Sequence, residues 1–204
     1  MNLQRRLFAI ALLLTMSVSG MGRFSSEQKR EHLRILLNED FRQVNLTPLD
    51  RAYLDAVALL TQEGRCSEFF GGQATQYVLE ELVVKLREER INDARIGIRM
   101  SGPYTFVASA KGVSYRLFTT TELNTAGPFY KSKVFAAEPS VPNIGSFRPN
   151  TRAARVLILL HEVAHLVRNK DGAWLIPDDG NSPQLSRQNT VTVESKCGRQ
   201  IRAL

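Results

Sequence analysis

Cysteine is scarce in this chain, which has two among its 204 residues. Neither directly follows the apolar run near the N-terminus, where a lipid anchor would need a cysteine, so a lipoprotein is not expected. A second long apolar run is also missing, and no other segment is predicted to cross a membrane. Basic residues outnumber acidic ones by 27 to 20, but they are scattered among the acidic ones, as in residues 85–90, and no aromatic residues are interleaved with them. This pattern indicates solvated helix faces and argues against nucleic-acid binding.

The N-terminus has the form of a secretory signal peptide. Two arginines precede an apolar run at residues 7–18, and small residues follow at Ser19 and Gly20. We therefore predict a signal peptide over residues 1–20, because the run is short for an uncleaved membrane anchor. The mature protein is expected to be periplasmic or extracellular, with no stable membrane association.

Export to an oxidising compartment would affect the chemical state of the two cysteines. An even pair in an oxidising compartment favours a disulfide between Cys66 and Cys197, which would tie the C-terminal segment to the N-terminal helices. Two free buried thiols are the alternative, and metal ligation by cysteine is a third interpretation.

Apolar periodicity predicts three helices before residue 90, within a single domain that spans residues 21–204. In chain order they are predicted at 25–44, from a start at Thr47-Pro48 to about Gly64, and at 75–89. Each has apolar residues at helical spacing, so that one face of the helix can be buried.

The pattern changes at Ala94, where apolar and polar residues begin to alternate. Such alternation is typical of strands, and we predict a small, mostly antiparallel sheet within residues 94–140. The predicted strands contain Ile98, Phe106 and Tyr115, with a hairpin loop at 111–112 and a further strand at 133–137. Helices and strands in separate regions predict an α+β fold.

Two of the three histidines fall in one motif, H-E-x-x-H at residues 161–165. Four residues make just over one helical turn, so His161 and His165 project from the same face of a helix. Two neutral imidazoles on one face can bind a zinc ion. Glu162 lies beside them, where a carboxylate can take a proton from metal-bound water. A buried histidine pair without metal is the alternative.

The segment around this motif is apolar almost all round, which predicts a buried helix. Asn150 or Thr151 can serve as its N-cap. Two histidines and a glutamate in a buried position would be unfavourable without partners, and a metal ion would satisfy all three. A polar loop at 169–184 and a short final helix at 189–197 are predicted to complete this last part of the domain, residues 150–204.

A small sheet followed by an H-E-x-x-H helix resembles the zincin metallopeptidases, over residues 94–197. The resemblance implies Zn²⁺ held by His161 and His165, with Glu162 as the general base for attack of water on a peptide bond. It implies a peptide or protein substrate, lying as an extra strand along an edge strand upstream of the helix.

Zincins differ in their third metal ligand, and four acidic residues are candidates here. Asp171 has the metzincin spacing, but Arg168 stands where glycine is expected, and no methionine follows the motif. Glu194 on the final helix would correspond to the gluzincin ligand. Asp178 or Asp179 would correspond to the loop aspartate of an aspzincin.

The tail of the chain also resembles that of short exported bacterial proteins. In those proteins an H-E-x-x-H helix precedes an Asp-Gly-Asn-like loop, an Asn-Thr pair and a final cysteine. The corresponding residues here are Asp179-Gly180-Asn181, Asn189-Thr190 and Cys197. This resemblance favours Asp179 over Glu194 as the third ligand.

Together these patterns predict an exported zinc metallopeptidase with Glu162 as its catalytic base. An oxyanion stabiliser is also needed, and Tyr115, Tyr130 or an arginine could serve. One alternative is a non-catalytic exported metal-binding protein on a degenerate zincin scaffold. Another is an exported helical adaptor that binds no metal.

Overall fold

The computed structural model describes residues 25–38, 46–110, 112–132, 141–180 and 182–204. Its helices are α1 (Ser26–Asn38), α2 (Pro48–Thr61), α3 (Arg65–Phe70), α4 (Gln76–Lys85), α5 (Arg152–Leu166) and α6 (Pro183–Ile201). Its strands are β1 (Arg87–Glu89), β2 (Ile98–Ala110) and β3 (Val113–Asn124). The fold is α+β, as predicted. The predicted signal peptide, the end of the first predicted helix at 39–44 and the predicted strand at 133–137 lie outside the described residues.

Among the described residues the sheet has the order β1-β3-β2, so β2 is an edge strand of this part of the chain. β3 runs antiparallel to β2 over its length and pairs in parallel with the short β1. Two of the predicted strands are joined into the single strand β2. At the junction, Gly102 adopts a φ of 80° and the register with β3 shifts between Ser101 and Tyr104. A β-bulge of this kind bends a strand without ending it.

Helix α2 begins with the predicted cap. The side chain of Thr47 accepts a hydrogen bond from the Asp50 N–H at 3.1 Å, and the Asp50 carboxylate accepts one from the Thr47 N–H at 3.2 Å. This capping box satisfies backbone donors that the first turn leaves free. The helix ends at Thr61 rather than at Gly64, which instead precedes the unpredicted short helix α3.

Helix α5 lies at the centre of the core, packed against α2, α4, α6 and β3. Residues 156–160 are at most 5% exposed, which confirms the prediction of a buried helix. At its start, the Arg152 guanidinium donates two hydrogen bonds to the Asp55 carboxylate of α2, at 2.6 and 2.7 Å. The helix that carries the H-E-x-x-H motif is therefore fixed on several sides.

Two segments differ from their predicted structure. Residues 87–89 were predicted as the end of a helix but form β1, because pairing of Arg87 and Glu89 with β3 outweighs their helix propensity. The final helix was predicted at 189–197 but spans Pro183–Ile201. It begins with Ser182 as N-cap and Pro183 in the first turn, which is a common helix start. No described helix is long and apolar enough to span a bilayer.

The predicted disulfide between Cys66 and Cys197 is present and joins α3 to α6. Both residues are fully buried, and the bond closes a loop with a sequence separation of 131. Because a crosslink over such a long loop restricts the unfolded chain strongly, it is expected to be a major source of stability.

We predict that replacing both cysteines by alanine lowers the free energy of unfolding by about 3–5 kcal/mol, the range expected for loss of a long-loop disulfide. Urea unfolding of the oxidised parent and of the double variant Cys66→Ala, Cys197→Ala measures the difference. A reductant should destabilise the parent and leave the double variant unchanged. Coincident unfolding curves of parent and variant without reductant would contradict the prediction.

Candidate metal centre

The start of α5 sets the direction of the motif residues. Thr151 is the N-cap, and its hydroxyl accepts a hydrogen bond from the Ala154 N–H at 3.2 Å. Asn150, the other predicted cap, adopts the left-handed conformation with a φ of 61°, which asparagine tolerates. Its side-chain oxygen accepts a hydrogen bond from the Arg155 guanidinium. With this start, the motif on the last two turns of α5 faces a cavity.

The structure brings His161, His165 and Asp179 together. The Nε2 atoms of the two histidines are 3.1 Å apart. The Asp179 carboxylate lies 3.1 Å from Nε2 of His161 and 3.4 Å from Nε2 of His165. These residues form a group of potential metal ligands whose two histidines are buried.

The spacing of this group fits a zinc ion. Ligand atoms in a tetrahedral zinc site lie about 2.0–2.1 Å from the ion and therefore about 3.3 Å from one another. The two histidine nitrogens are 3.1 Å apart, and the nearest contacts of the Asp179 carboxylate are 3.1 Å from Oδ2 to His161 and 3.4 Å from Oδ1 to His165, which is close to this value. Two imidazole nitrogens and a carboxylate oxygen are also a donor set that zinc commonly takes.

The two histidines stabilise the charged form of Asp179. Partial burial alone raises the pKa of this carboxyl group. Hydrogen bonds and charge interactions with His161 and His165 outweigh that effect and hold the pKa of Asp179 well below its ordinary value. Asp179 is therefore an anion at neutral pH, which is the form that ligates a metal.

Glu162 lies beside the three-residue group. The pKa of its carboxyl group is raised to about 7, chiefly by burial, while His161 lowers it and Asp179 raises it to a smaller extent. Within the described part of the chain, no hydrogen bond to the Glu162 carboxylate is found. The carboxylate is thus available for interaction with a ligand in the cavity.

A cavity of about 610 Å³ opens over the motif. It is lined by the motif side chains, by residues 95–101 at the start of β2, by residues 178–180 and by the first turns of α6. Since β2 is an edge strand, the cavity borders a sheet edge upstream of the motif helix, which is where the zincin resemblance implies a substrate.

The other candidate ligands do not contact the two histidines. The Glu194 carboxylate accepts a hydrogen bond from the Ser146 N–H at 3.0 Å and one from Arg202 at 3.0 Å. Asp178 lines the cavity, but its carboxylate is paired with Arg116, and Asp171 is exposed in a loop. Among the candidates from the sequence, only Asp179 contacts the histidines.

The two tyrosines named as oxyanion stabilisers do not line the cavity. The hydroxyl of Tyr130 donates to the Glu88 carboxylate at 2.8 Å, away from the motif. The arginines that line the cavity are Arg95 and Arg99, and their guanidinium groups are paired with the carboxylates of Asp93 and Glu122.

Arg116 is a residue of the site that the sequence did not single out. Its side chain is buried and donates from Nε to the His165 carbonyl at 3.0 Å and from Nη1 to Asp178 at 3.0 Å. The guanidinium also lies 4.1 Å from the centre of the Trp174 ring. The only indication in the sequence was an arginine at a polar position of an alternating strand. A residue at such a position usually faces solvent, so this pattern did not point to a buried role.

Comparison of the chain with protein-family models, curated proteins and solved structures found no match. Only the chemistry of the site itself therefore bears on function.

We predict that the purified protein, after equilibration with zinc and dialysis, retains about one zinc ion per chain. His161→Ala and Asp179→Ala should each lose the metal, because either change leaves only two of the three ligands. Metal content measured by mass spectrometry on folded, monodisperse samples tests this.

Matched controls are the conservative variants Glu194→Gln and Asp171→Asn, which should keep the zinc of the parent. A parent that retains no zinc would contradict a metal site and leave the buried histidine pair without a metal. Loss of zinc in Glu194→Gln but not in Asp179→Ala would assign the third ligand to Glu194.

Proposed function

We propose that this protein is an exported zinc metallopeptidase, with His161, His165 and Asp179 as metal ligands and Glu162 as general base. The observation that carries the proposal is the convergence of these side chains on one cavity beside an edge strand. The ligands come from a rigid buried helix and an adjoining loop, an arrangement that can hold an ion in a fixed position.

The ligand set supports catalysis rather than a purely structural role for the metal. Structural zinc sites are closed by four protein ligands, whereas catalytic sites keep a position open for water or substrate. In the described residues the group contains three potential ligands. Zinc bound there would supply Lewis acidity, lowering the pKa of a bound water and polarising a substrate carbonyl.

Glu162 is placed to move a proton. It directly follows one ligand in the sequence, lies on the cavity side of α5 and has no hydrogen-bond partner in the described residues. In this role the carboxylate takes a proton from the attacking water and delivers it to the leaving amine. A histidine or aspartate that is already a ligand could not do this.

The edge of β2, which no other described strand pairs with, supports a peptide substrate. The Asn124 N–H donates to the Gly97 carbonyl at 3.0 Å. Peptide groups alternate in an antiparallel ladder, so those of Ile98 and Met100 point away from β3. An extended peptide can pair with such an edge through its main chain, which allows recognition without a specific sequence.

Gly97 allows this edge to approach the motif helix closely. A Cβ atom at Gly97 would lie 3.0 Å from Cγ2 of Ile158, one turn before the motif on α5. A larger residue would therefore push the start of β2 away from the helix. Glycine at this position keeps the strand edge and the proposed ligands on the same cavity.

The disulfide supports export. Disulfides persist in oxidising compartments such as the periplasm and the extracellular space, and they are rare in the cytosol. The Cys66–Cys197 bond joins two elements of the core, so the folded protein is adapted to such a compartment.

We predict that Glu162→Gln retains zinc but lowers peptide hydrolysis by about 10²–10⁴-fold, since it removes the general base and keeps the shape of the side chain. A library of fluorescence-quenched peptides measures cleavage by the zinc-loaded parent and variant. Metal analysis of the same samples separates loss of chemistry from loss of metal.

The matched control is Glu63→Gln, the same change at an exposed glutamate that does not line the cavity. It should cleave like the parent. Undiminished cleavage by Glu162→Gln would contradict the proposed mechanism. A zinc-loaded parent that cleaves no member of the library would favour the non-catalytic metal-binding protein.

A further inference from the structure

We infer that Asn189 and Thr190, adjacent residues of α6, are positioning residues that orient the proposed metal ligands Asp179 and His161. This inference deepens the proposed function and rests on its metal site. It assigns a role to two side chains that themselves do not belong to the ligand group.

The hydroxyl of Thr190 determines where His161 carries its hydrogen. Thr190 Oγ1 donates to the Ser186 carbonyl at 2.9 Å, and it lies 3.1 Å from Nδ1 of His161. A hydroxyl has a single hydrogen, so the contact with His161 must be donated by the ring nitrogen. Nδ1 of His161 therefore carries a hydrogen, and in the neutral ring Nε2 has the free lone pair.

This lone pair points at other acceptors. Nε2 of His161 lies 3.1 Å from a carboxylate oxygen of Asp179 and 3.1 Å from Nε2 of His165. Such atoms stay together when a cation lies between them, either the proton of a charged imidazole, which Nε2 then donates to Asp179, or a metal ion that takes the place of that proton. By fixing the hydrogen on Nδ1, Thr190 prepares the opposite side of the ring to bind a cation.

Asn189 holds the other ligand. Its buried side-chain amide donates to the Pro177 carbonyl at 2.8 Å and to Oδ1 of Asp179. The amide group has two hydrogens, and these contacts use both. Asp179 is thereby oriented with its second oxygen, Oδ2, towards His161.

The start of α6 connects the two contacts. The Ser182 N–H donates to the Asp179 carbonyl at 3.0 Å, and Ser182 is also the N-cap of α6. Asn189 and Thr190 lie two turns further along the same helix. One rigid element thus sets the orientation of a ligand on α5 and of a ligand on the preceding loop.

The test compares zinc affinities, measured by competition with a chromophoric chelator, in Thr190→Val and Thr190→Ser. Valine keeps the shape of threonine but removes the acceptor, and we expect about 10–100-fold weaker binding, as for loss of other outer-shell partners. Serine keeps the hydroxyl and should bind zinc within about threefold of the parent. Asn189→Leu should weaken binding to a similar degree as Thr190→Val.

Thr192→Val is a matched control. Thr192 makes the same kind of bond to a carbonyl one turn earlier, with its Oγ1 at 3.0 Å from the Gln188 carbonyl oxygen, but it is exposed and does not contact a ligand. It should bind zinc like the parent. Equal affinities of Thr190→Val and the parent, or equal weakening in Thr192→Val, would overturn the inference.

A second readout does not require zinc. In ¹⁵N NMR spectra of the metal-free protein, we expect a hydrogen-bonded Nδ1–H resonance of His161 in the parent and in Thr190→Ser. The resonance should be broadened by solvent exchange in Thr190→Val. Absence of this hydrogen in the parent would refute the positioning role, whereas its presence in a protein that binds no zinc would refute the metal site instead.

Discussion

The architecture around the candidate site depends on one buried guanidinium, that of Arg116. It joins three segments that are distant in the sequence: β3, the last turn of α5 through the His165 carbonyl, and the loop at Asp178. A buried charge is unfavourable unless it is paired, so these bonds are required once Arg116 is enclosed. The loop that presents Asp179 is consequently held against the end of the motif helix.

Local patterns were sufficient for the parts of the site that lie on one helix. The cap at Thr151, the burial of α5 and the shared face of His161 and His165 all follow from spacing within one short segment. Asp179 was favoured by a resemblance, because no local rule brings it to His161. Its position depends on a turn, on Asn189 and on the pairing of Asp178 with Arg116, which are contacts between distant residues.

The errors of prediction have a common physical cause. Arg87 and Glu89 are polar and suited to a helix, yet they form a strand because β3 offers a backbone to pair with. The first turns of α6 are polar and were assigned to a loop, yet Ser182 and Pro183 start a helix that packs on α5. In each case tertiary contacts outweighed local propensity.

Helix α6 connects the disulfide with the candidate metal site, because each of them contacts one half of this helix. The Cys66–Cys197 bond fixes its C-terminal half to α3, while Ser182 and Asn189 tie its N-terminal half to the Asp179 loop. A metal ion bound by Asp179 and the α5 histidines would crosslink that loop to the core, so metal binding and folding would be coupled at this end. The disulfide restrains the C-terminal half of α6. Contacts with the Asp179 loop position its N-terminal half, which is the part of the helix that orients the proposed metal ligands.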